Sequence, residues 1–341
     1  MTAGPRPRRA SVRAMRTSSL LLLVVGVLGC GDDGGGITPI DAPPDAPPDA
    51  PLVDAPPPPV GHHHYVIDRR LVPTNNSQAR DYGLDLNGDQ TVDNQLGMVF
   101  GTLSSLGIDV QVGTTRAIDT GAMITLVDLG ADDLINAATA TFALFDGANP
   151  MPLPCNGSSD VTCRRHLAGT GTFTAAATPV HPALPGAIVN GTLNAGPGLL
   201  AIELVVASSA PVAVTLLGAR VRATTIAATG IGTLILAGAV SQTEIDTKVI
   251  PAMRDGFMAS VTADCSALAN PPGCGCATGS AGKSAIDLFD APPKDCAISV
   301  DEVRTNALIQ SLLAPDVTIN GVMALSLGVS TTAVPAGYVA P

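Results

Sequence analysis

The sequence predicts an α+β protein that is mainly β, with an antiparallel β-sandwich or barrel-like core flanked by helices. Hydrophobic residues make up 46% of the 341 residues but aromatic residues only 3%, so the core must be aliphatic. Short strand-like runs separated by Gly, Pro and Asn-Gly follow one another from residue 123 to residue 240. Regularly spaced short strands with turn signals are typical of sandwiches and barrels.

Eight runs in this part of the chain are predicted strands. They cover residues 123–129, 139–145, 170–175, 188–193, 199–206, 212–217, 220–226 and 231–240. The run at 139–145 alternates between two faces, as a half-buried strand does. The run at 199–206 is apolar on both faces except at Glu203, which favours a central strand.

Three helices are predicted around these strands. The first has apolar residues at helical spacing, namely Leu96, Val99, Phe100, Leu103 and Leu106. Ser241 and Glu244 form a capping box at the start of the second, which Pro251 should kink or split. A similar box begins the third helix, which should end at Pro315, and Asn-Gly at 320–321 predicts a hairpin into 322–329.

The N-terminal segment, residues 1–29, has the pattern of an export signal. Five arginines and no acidic residue precede a nine-residue apolar run at 20–28, which is too short to span a bilayer as a helix. The run ends in Val27-Leu-Gly-Cys30, which resembles the bacterial lipobox, whose cysteine is acylated. An ordinary cleavable signal with an incidental cysteine is the alternative. Gly31 after the cysteine suggests, by analogy with the known sorting rule, the outer membrane, on its periplasmic or cell-surface face.

Residues 30–60 are predicted to be a tether between the lipidated Cys30 and a single domain at 61–341. Asp-Ala-Pro repeats begin at residues 41, 45 and 49, and four prolines follow at 56–59. Proline at this density enforces polyproline II and prevents helix or sheet formation. His62, His63 and His64 adjoin this segment and are predicted to be a solvated joint, with transition-metal binding as the alternative.

The charge of the chain argues against nucleic acid as a partner. Without the five leader arginines, 13 basic side chains face 29 acidic ones, a net charge of −16. An acidic surface repels phosphate backbones and attracts cations.

Six cysteines follow Cys30, and an even number in an exported chain favours three disulfides. Cys155 and Cys163 flank a Gly/Ser loop and are expected to pair. Cys274 and Cys276 are too close to pair with each other without strain. We therefore expect one of them to bind Cys265 and the other Cys296, with a zinc site formed by these four cysteines as the alternative.

The first candidate metal site is an acidic loop at residues 85–96. Side-chain oxygens fall at loop positions one, three, five, seven and nine, namely Asp85, Asn87, Asp89, Thr91 and Asp93. Calcium needs six to eight oxygens that converge from a tight loop. The pattern resembles an EF-hand or dockerin loop, but Gly88 is at position four rather than six, and Leu96 replaces the glutamate at position twelve.

A second acidic loop precedes the third helix. Counted back from Glu302 at position twelve, Ser299, Ile298 and Asp295 match positions nine, eight and five, and Asp290 begins the loop one residue early. Pro293 occupies a ligand position and Lys294 brings a positive charge. If the two loops pair as EF-hands do, Val92 and Ile298 should form a short strand pair, so that EF-hand-like helix-loop-helix segments flank the core.

Each loop also has a purely structural interpretation. Asp93 could be a helix N-cap, Ser299 and Glu302 only a capping box, and residues 85–89 an Asx-rich turn. Calcium, if bound, could itself be purely structural.

The segments 85–97, 296–315 and 324–328 resemble a group of uncharacterised bacterial lipoproteins with EF-hand-like calcium loops. The resemblance covers most of residues 65–335 and implies a lipid anchor and calcium loops but no particular activity.

No catalytic constellation stands out, so we predict a non-enzymatic lipoprotein that uses calcium and binds an unknown protein or glycan partner or supports the envelope. The alternative is a secreted hydrolase with calcium as a structural ion. Residues 277–284 fit a permissive Walker A pattern, but a predicted disulfide loop precedes them instead of a buried strand, so we predict no nucleotide binding.

Overall fold

The computed structural model describes residues 61–105, 110–177, 181–206, 210–266, 270–271 and 273–341, which fall in one compact unit, Pro57–Pro341. The predicted leader, Cys30, the tether and Leu106 lie outside the described residues. The strands are β1 (His62–Leu71), β2 (Thr125–Gly130), β3 (Ala137–Met151), β4 (Gly171–Ala175), β5 (Leu184–Val189), β6 (Thr192–Leu204), β7 (Val212–Ala227), β8 (Gly230–Ser241), β9 (Val317–Ile319) and β10 (Val322–Gly337).

Eight of these strands form a closed antiparallel barrel. The order around it is β1, β2, β3, β5, β6, β7, β8 and β10, and β10 closes the ring by pairing with β1. The mainly β prediction is therefore confirmed, and of its two architectures the barrel is the one observed.

Aliphatic side chains fill the barrel interior. Leu325 lies opposite Val240, Val240 opposite Leu216, and Leu216 opposite Leu200, and all four are almost completely buried in one cluster. Side chains that face each other across neighbouring strands share one face of the sheet. An eight-stranded barrel is just wide enough for such side chains to fill, which is why few aromatic residues suffice.

Helices pack against the strands, and buried residues of several of them belong to the same cluster as the interior side chains. The helices are α1 (Asn76–Asp81), α2 (Gln95–Ser105), α3 (Val110–Asp119), α4 (Gln242–Glu244), α5 (Ile250–Asp264), α6 (Ala281–Phe289), α7 (Val300–Thr305) and α8 (Ala307–Leu312). A 3₁₀ turn covers Arg165–Leu167 and a π-helical turn covers Ile245–Val249. Among the helices described, none has the length and hydrophobicity that crossing a membrane requires.

The structure corrects three of the predicted strands. Asn190 and Gly191 both have positive φ (51° and 70°) and form the turn between β5 and β6, so residues 188–193 are not one strand. The runs at 212–217 and 220–226 are one strand, β7, with an irregularity around Gly218. β1 was not predicted at all, since its sequence is polar and rich in His and Arg.

The predicted helices are present but differ in detail. The chain stays helical through Pro251, which lies in the first turn of α5, and the interruption is the π-helical turn just before it. The third helix is two helices, because Asn306 ends α7 and caps α8 through Leu308 and Ile309. The capping box of Ser299 and Glu302 and the hairpin at 320–321 are confirmed.

All six domain cysteines are in disulfides. Cys155 pairs with Cys163, Cys265 with Cys276, and Cys274 with Cys296. The first pairing is the predicted one, and the other two follow the predicted scheme. The zinc alternative for these cysteines is wrong, because thiolates bound in disulfides cannot ligate zinc.

Candidate functional site

The first acidic loop lies between α1 and α2 on the outer face of the barrel. A bridge between Leu84 and Asp93 closes its base, with the amide of Asp93 donating to the carbonyl of Leu84 at 3.1 Å. Leu86 is buried in a small cluster with Ile235 and Ile319, which anchors the loop on the barrel wall.

Backbone amides close this loop around Asp85. The amides of Gly88 and Gln90 donate to its two carboxylate oxygens at 2.6 and 2.9 Å. The hydrogen bond from Gly88 is the main reason that the pKa of Asp85 lies below its usual range. The carboxylate is thus ionised and oriented within the loop.

The next two acceptors continue the same pattern. Asn87 Oδ1 accepts from the amide of Asp89 at 3.0 Å, and Asp89 Oδ1 accepts from the amide of Thr91 at 2.7 Å. All three residues are exposed, so oxygens of Asn87 and Asp89 can reach a cation from solvent.

Asp93 lies where several carboxylates come together. Its Oδ2 accepts from the amide of Leu86 at 2.8 Å. Burial, together with the charges of Asp89, Asp316 and Asp85, raises the pKa of Asp93 above its usual value. Asp316, which precedes β9, was not predicted as part of this site. A cation bound beside Asp93 would offset these three charges and favour its ionised form.

Asn94 fixes the end of the loop to the barrel and was also not predicted. Its side-chain amide donates to the carbonyls of Ala79 and Gly328, while Oδ1 accepts from the amides of Gly97 and Gly328. Asn94 is therefore the residue that caps α2, and the interpretation of Asp93 as a helix N-cap is wrong. A side chain at position 328 would meet the carbonyl oxygen of Tyr82 at 2.3 Å, so this approach requires glycine.

The second acidic loop lies between α6 and α7. Asp290 is buried, and its carboxylate accepts from the amides of Asp295 and Cys296 at 3.2 Å each. Glu302 accepts from the amide of Ala291 at 2.9 Å and from that of Ser299 at 2.7 Å. Every one of these acidic residues therefore orders the loop through backbone amides.

The two loops share three local features. The first aspartate, Asp85 or Asp290, accepts from the amide at position six, which is Gln90 or Cys296. The aspartate at position five, Asp89 or Asp295, accepts from the amide at position seven. The residue at position six is left-handed in both, with φ of 69° at Gln90 and 66° at Cys296. EF-hand loops place an invariant glycine at this position to make the sharp turn.

The left-handed conformation of Gln90 yields a stability prediction. Because a Cβ makes this conformation unfavourable by roughly 1–2 kcal/mol, Gln90→Gly should raise the free energy of unfolding. The greater freedom of glycine in the unfolded chain offsets part of this, so we expect a net gain of up to about 1 kcal/mol. Urea unfolding measures it, with Gln90→Ala as the control that keeps Cβ. Equal stability of the two variants would show that the conformation is not strained.

The predicted pairing of the two loops is wrong. Val92 is 44% exposed, whereas Ile298 is fully buried with its amide next to the sulfur of Met258 at 3.2 Å. Within the described residues, no strand pairing joins them, and Val92 is beside the local bridge of its own loop. The loops are thus two separate features on the barrel.

A cavity of about 390 Å³ lies next to charged groups of β1 and α3. Asp68 and Asp119 converge in it, but both face Arg164, at 3.5 and 2.6 Å. Arg164 is left-handed and directly follows the Cys155–Cys163 disulfide loop. The two carboxylates are therefore engaged by one guanidinium.

The histidines at the start of the domain are not a solvated joint, and that prediction is wrong. His62, His63 and His64 begin β1, and His64 pairs with Asp128 of β2. In the Walker-like segment, Ser280 caps α6 by accepting from the amide of Lys283. The described residues before it form turns rather than a strand.

No protein-family model, curated protein or solved structure matches this chain. The resemblance to calcium-loop lipoproteins therefore stays a prediction.

Proposed function

We propose that the protein is an exported lipoprotein, anchored to the outer membrane through Cys30, whose domain binds calcium at its acidic loops as a structural ion. The observation that supports calcium most directly is the shared backbone geometry of the two loops, with a left-handed residue at position six and the first aspartate closed onto its amide. The first loop is the stronger candidate, because Asn87, Asp89 and Thr91 are exposed to solvent, whereas Asp290 of the second loop is buried.

Calcium would relieve the repulsion that Asp89, Asp316 and Asp85 exert on Asp93. Since the folded pKa of Asp93 is raised, a proton competes with calcium there. Calcium affinity should therefore fall as the pH drops through the acidic range.

Calorimetry of the full chain in detergent tests the calcium proposal. We expect heat of calcium binding in the wild type and its loss in Asp85→Ala with Asp89→Ala. Calcium at a hundredfold excess over Kd should stabilise the wild type by about 2.7 kcal/mol, seen as a rise in Tm.

The matched control is Asp132→Ala with Asp133→Ala, which removes the same charge from another exposed turn. This variant should bind calcium like the wild type. Equal loss in both double variants, or no calcium effect on Tm in the wild type, would contradict a specific site.

The anchor proposal is supported by the lipobox sequence and by three disulfides, which persist in oxidising compartments outside the cytoplasm. Two acyl chains bind a membrane stably where one does not. Cys30→Ser should move the protein from the membrane fraction to the soluble fraction. Cys155→Ala with Cys163→Ala should stay with the membrane, and an unchanged distribution of Cys30→Ser would contradict acylation.

We infer a binding or envelope-structural role, with a protein or glycan partner, rather than catalysis. A hydrolase needs an acid and a base that are free to exchange protons with a substrate. In the described cavity, the two converging carboxylates are both engaged by Arg164, which favours the binding role.

A further inference from the structure

Two histidines and one aspartate meet on one face of β1 and β2. His64 lies directly opposite Asp128 in the antiparallel pair, and His62 is two residues before His64. Alternate residues of a strand share a face, and residues opposite each other have Cβ atoms about 4.5–5.5 Å apart. The register of these strands therefore brings all three side chains together.

The ligand atoms of these side chains already lie close to one another. His62 Nδ1 is 3.0 Å from both carboxylate oxygens of Asp128, and His64 Nε2 is 3.7 Å from Oδ1. All three ligand atoms are within 4.8 Å of one another. The Asp128 side chain is 10% exposed and that of His62 is 55% exposed, so the cluster opens to solvent on one side.

Two buried polar atoms at this cluster lack a hydrogen-bond partner among the described residues. One is His64 Nε2, which is too far from Asp128 for a hydrogen bond. The other is the hydroxyl of Tyr338, a residue that is 8% exposed and whose ring stacks on His64 at 4.3 Å. Burying polar atoms without partners is unfavourable, so both point to a further group at this position.

We propose that His62, His64 and Asp128 form a binding site for a first-row divalent transition metal ion, for which Zn²⁺ is the best match. Imidazole nitrogens and carboxylate oxygens are ligands that zinc prefers. Three protein ligands leave a fourth position, which faces the solvent on the side of His62.

The geometry favours zinc over a plain ion pair between His62 and Asp128. Ligand atoms about 2.0–2.1 Å from a tetrahedral ion lie roughly 3.3 Å apart, and the observed separations of 3.0 and 3.7 Å bracket this value. An ion pair would satisfy His62 alone and leave His64 Nε2 buried without a partner. Calcium is a poor candidate here, because it prefers an all-oxygen shell.

The test is zinc calorimetry on the full chain, purified in detergent without a polyhistidine tag and saturated with calcium. We expect one Zn²⁺ per chain in the wild type. Since outer-shell partners alone are worth 10–100-fold in affinity, His64→Ala or Asp128→Asn should weaken binding by about 100-fold or more.

His63→Ala is the matched control, because residue 63 lies between the two ligands and points to the other face of the strand. His63→Ala should leave the zinc affinity within about twofold of the wild type, which is well below a tenfold change of about 1.4 kcal/mol in binding free energy. Absence of zinc binding in the wild type, or equal weakening by His63→Ala and His64→Ala, would overturn the proposal.

Spectroscopy keeps the test decisive even if a histidine variant unfolds. Co²⁺ added to the wild type should give the visible absorption of a tetrahedral nitrogen and oxygen site, and Asp128→Asn, which keeps the side-chain shape, should abolish it. An octahedral spectrum that Asp128→Asn does not change would overturn the proposal. The same measurements on the double variant Asp85→Ala with Asp89→Ala distinguish the zinc proposal from the calcium proposal, since this variant should still bind zinc.

Discussion

Arg70→Met is expected to lower the free energy of unfolding by about 3 kcal/mol, the range found when one partner of a buried charge interaction is removed. Arg70 is 2% exposed. Its guanidinium donates to the backbone carbonyl of Glu203 and, at 3.3 Å, to the hydroxyl of Thr125. Methionine fills a similar volume, so the loss would come from the charge and the hydrogen bonds rather than from a cavity.

The carboxylate of Glu203 makes this effect depend on pH. Burial and the charge of Asp146 raise the pKa of Glu203 from its ordinary 4.5 to about 7, and Arg70 partly opposes the rise. Burial also lowers the pKa of Arg70 to about 10, so the guanidinium stays charged at neutral pH.

The sign of this dependence follows from the raised pKa. The folded protein binds the Glu203 proton more tightly than the unfolded chain does, so this group favours folding below about pH 4.5. Its contribution is lost as the pH rises toward about 7. Without Arg70 the carboxylate is harder to ionise, so Arg70→Met should destabilise more at pH 8 than at pH 5.

Urea unfolding at the two pH values measures the effect. Arg69→Met is the matched control, because Arg69 is exposed on the same strand and should change stability by less than about 0.5 kcal/mol. Adding Glu203→Gln to Arg70→Met should recover part of the loss at pH 8, as coupled sites do. Equal losses at both pH values would show that Glu203 does not depend on Arg70.

The strands were predictable where apolar and polar residues alternate or where turn residues such as Asn-Gly separate two runs. The run at 139–145 lies in β3, and the hairpin at 320–321 follows from Asn-Gly, which tolerates the positive φ that such a turn needs. The turn at Asn190 carried the same signal, but the apolar residues on both sides of it suggested one continuous strand.

Closure of the barrel could not be predicted, because it depends on β1. This strand begins with three histidines and pairs with β10 at the other end of the chain, as in the pairing of Tyr65 with Pro335. A polar strand next to a proline-rich tether shows no alternation of the kind that marks a buried face. The sequence offered the histidines of the proposed metal site as possible ligands but not Asp128, which joins them only through strand register.

The tight turn of the acidic loop was predictable, but the contacts that hold it on the barrel were not. Asp85 and Asp89 follow a recognisable spacing, and the structure places them in one tight turn. Asn94 accepts from the amide of Gly328 in β10, more than two hundred residues further along the chain. Asp316 accepts from the amide of Ser326 across the β9–β10 hairpin. Spacing within a loop contains no information about such contacts.

Replacing both Cys274 and Cys296 with alanine is expected to cost about 3 kcal/mol of folding free energy. The bridge spans 22 residues, and in the chain-entropy account a cross-link of this span restricts the unfolded chain by about that amount. Cys274 is 1% exposed, and alanine avoids placing a polar group there. Cys296 is also position six of the second acidic loop, so the bridge holds that loop to the segment that precedes α6.

The control is the corresponding variant of Cys155 and Cys163, whose bridge spans only 8 residues. The same account predicts a cost about 1 kcal/mol smaller for it. Because only the 22-residue bridge reaches an acidic loop, its loss should also expose the backbone amide at position 296 to hydrogen exchange. The amide of Gln90 should stay protected in both variants. Equal stability losses with no change in exchange at position 296 would mean that Asp290 alone, through its hydrogen bonds to the amides of residues 295 and 296, orders the second loop.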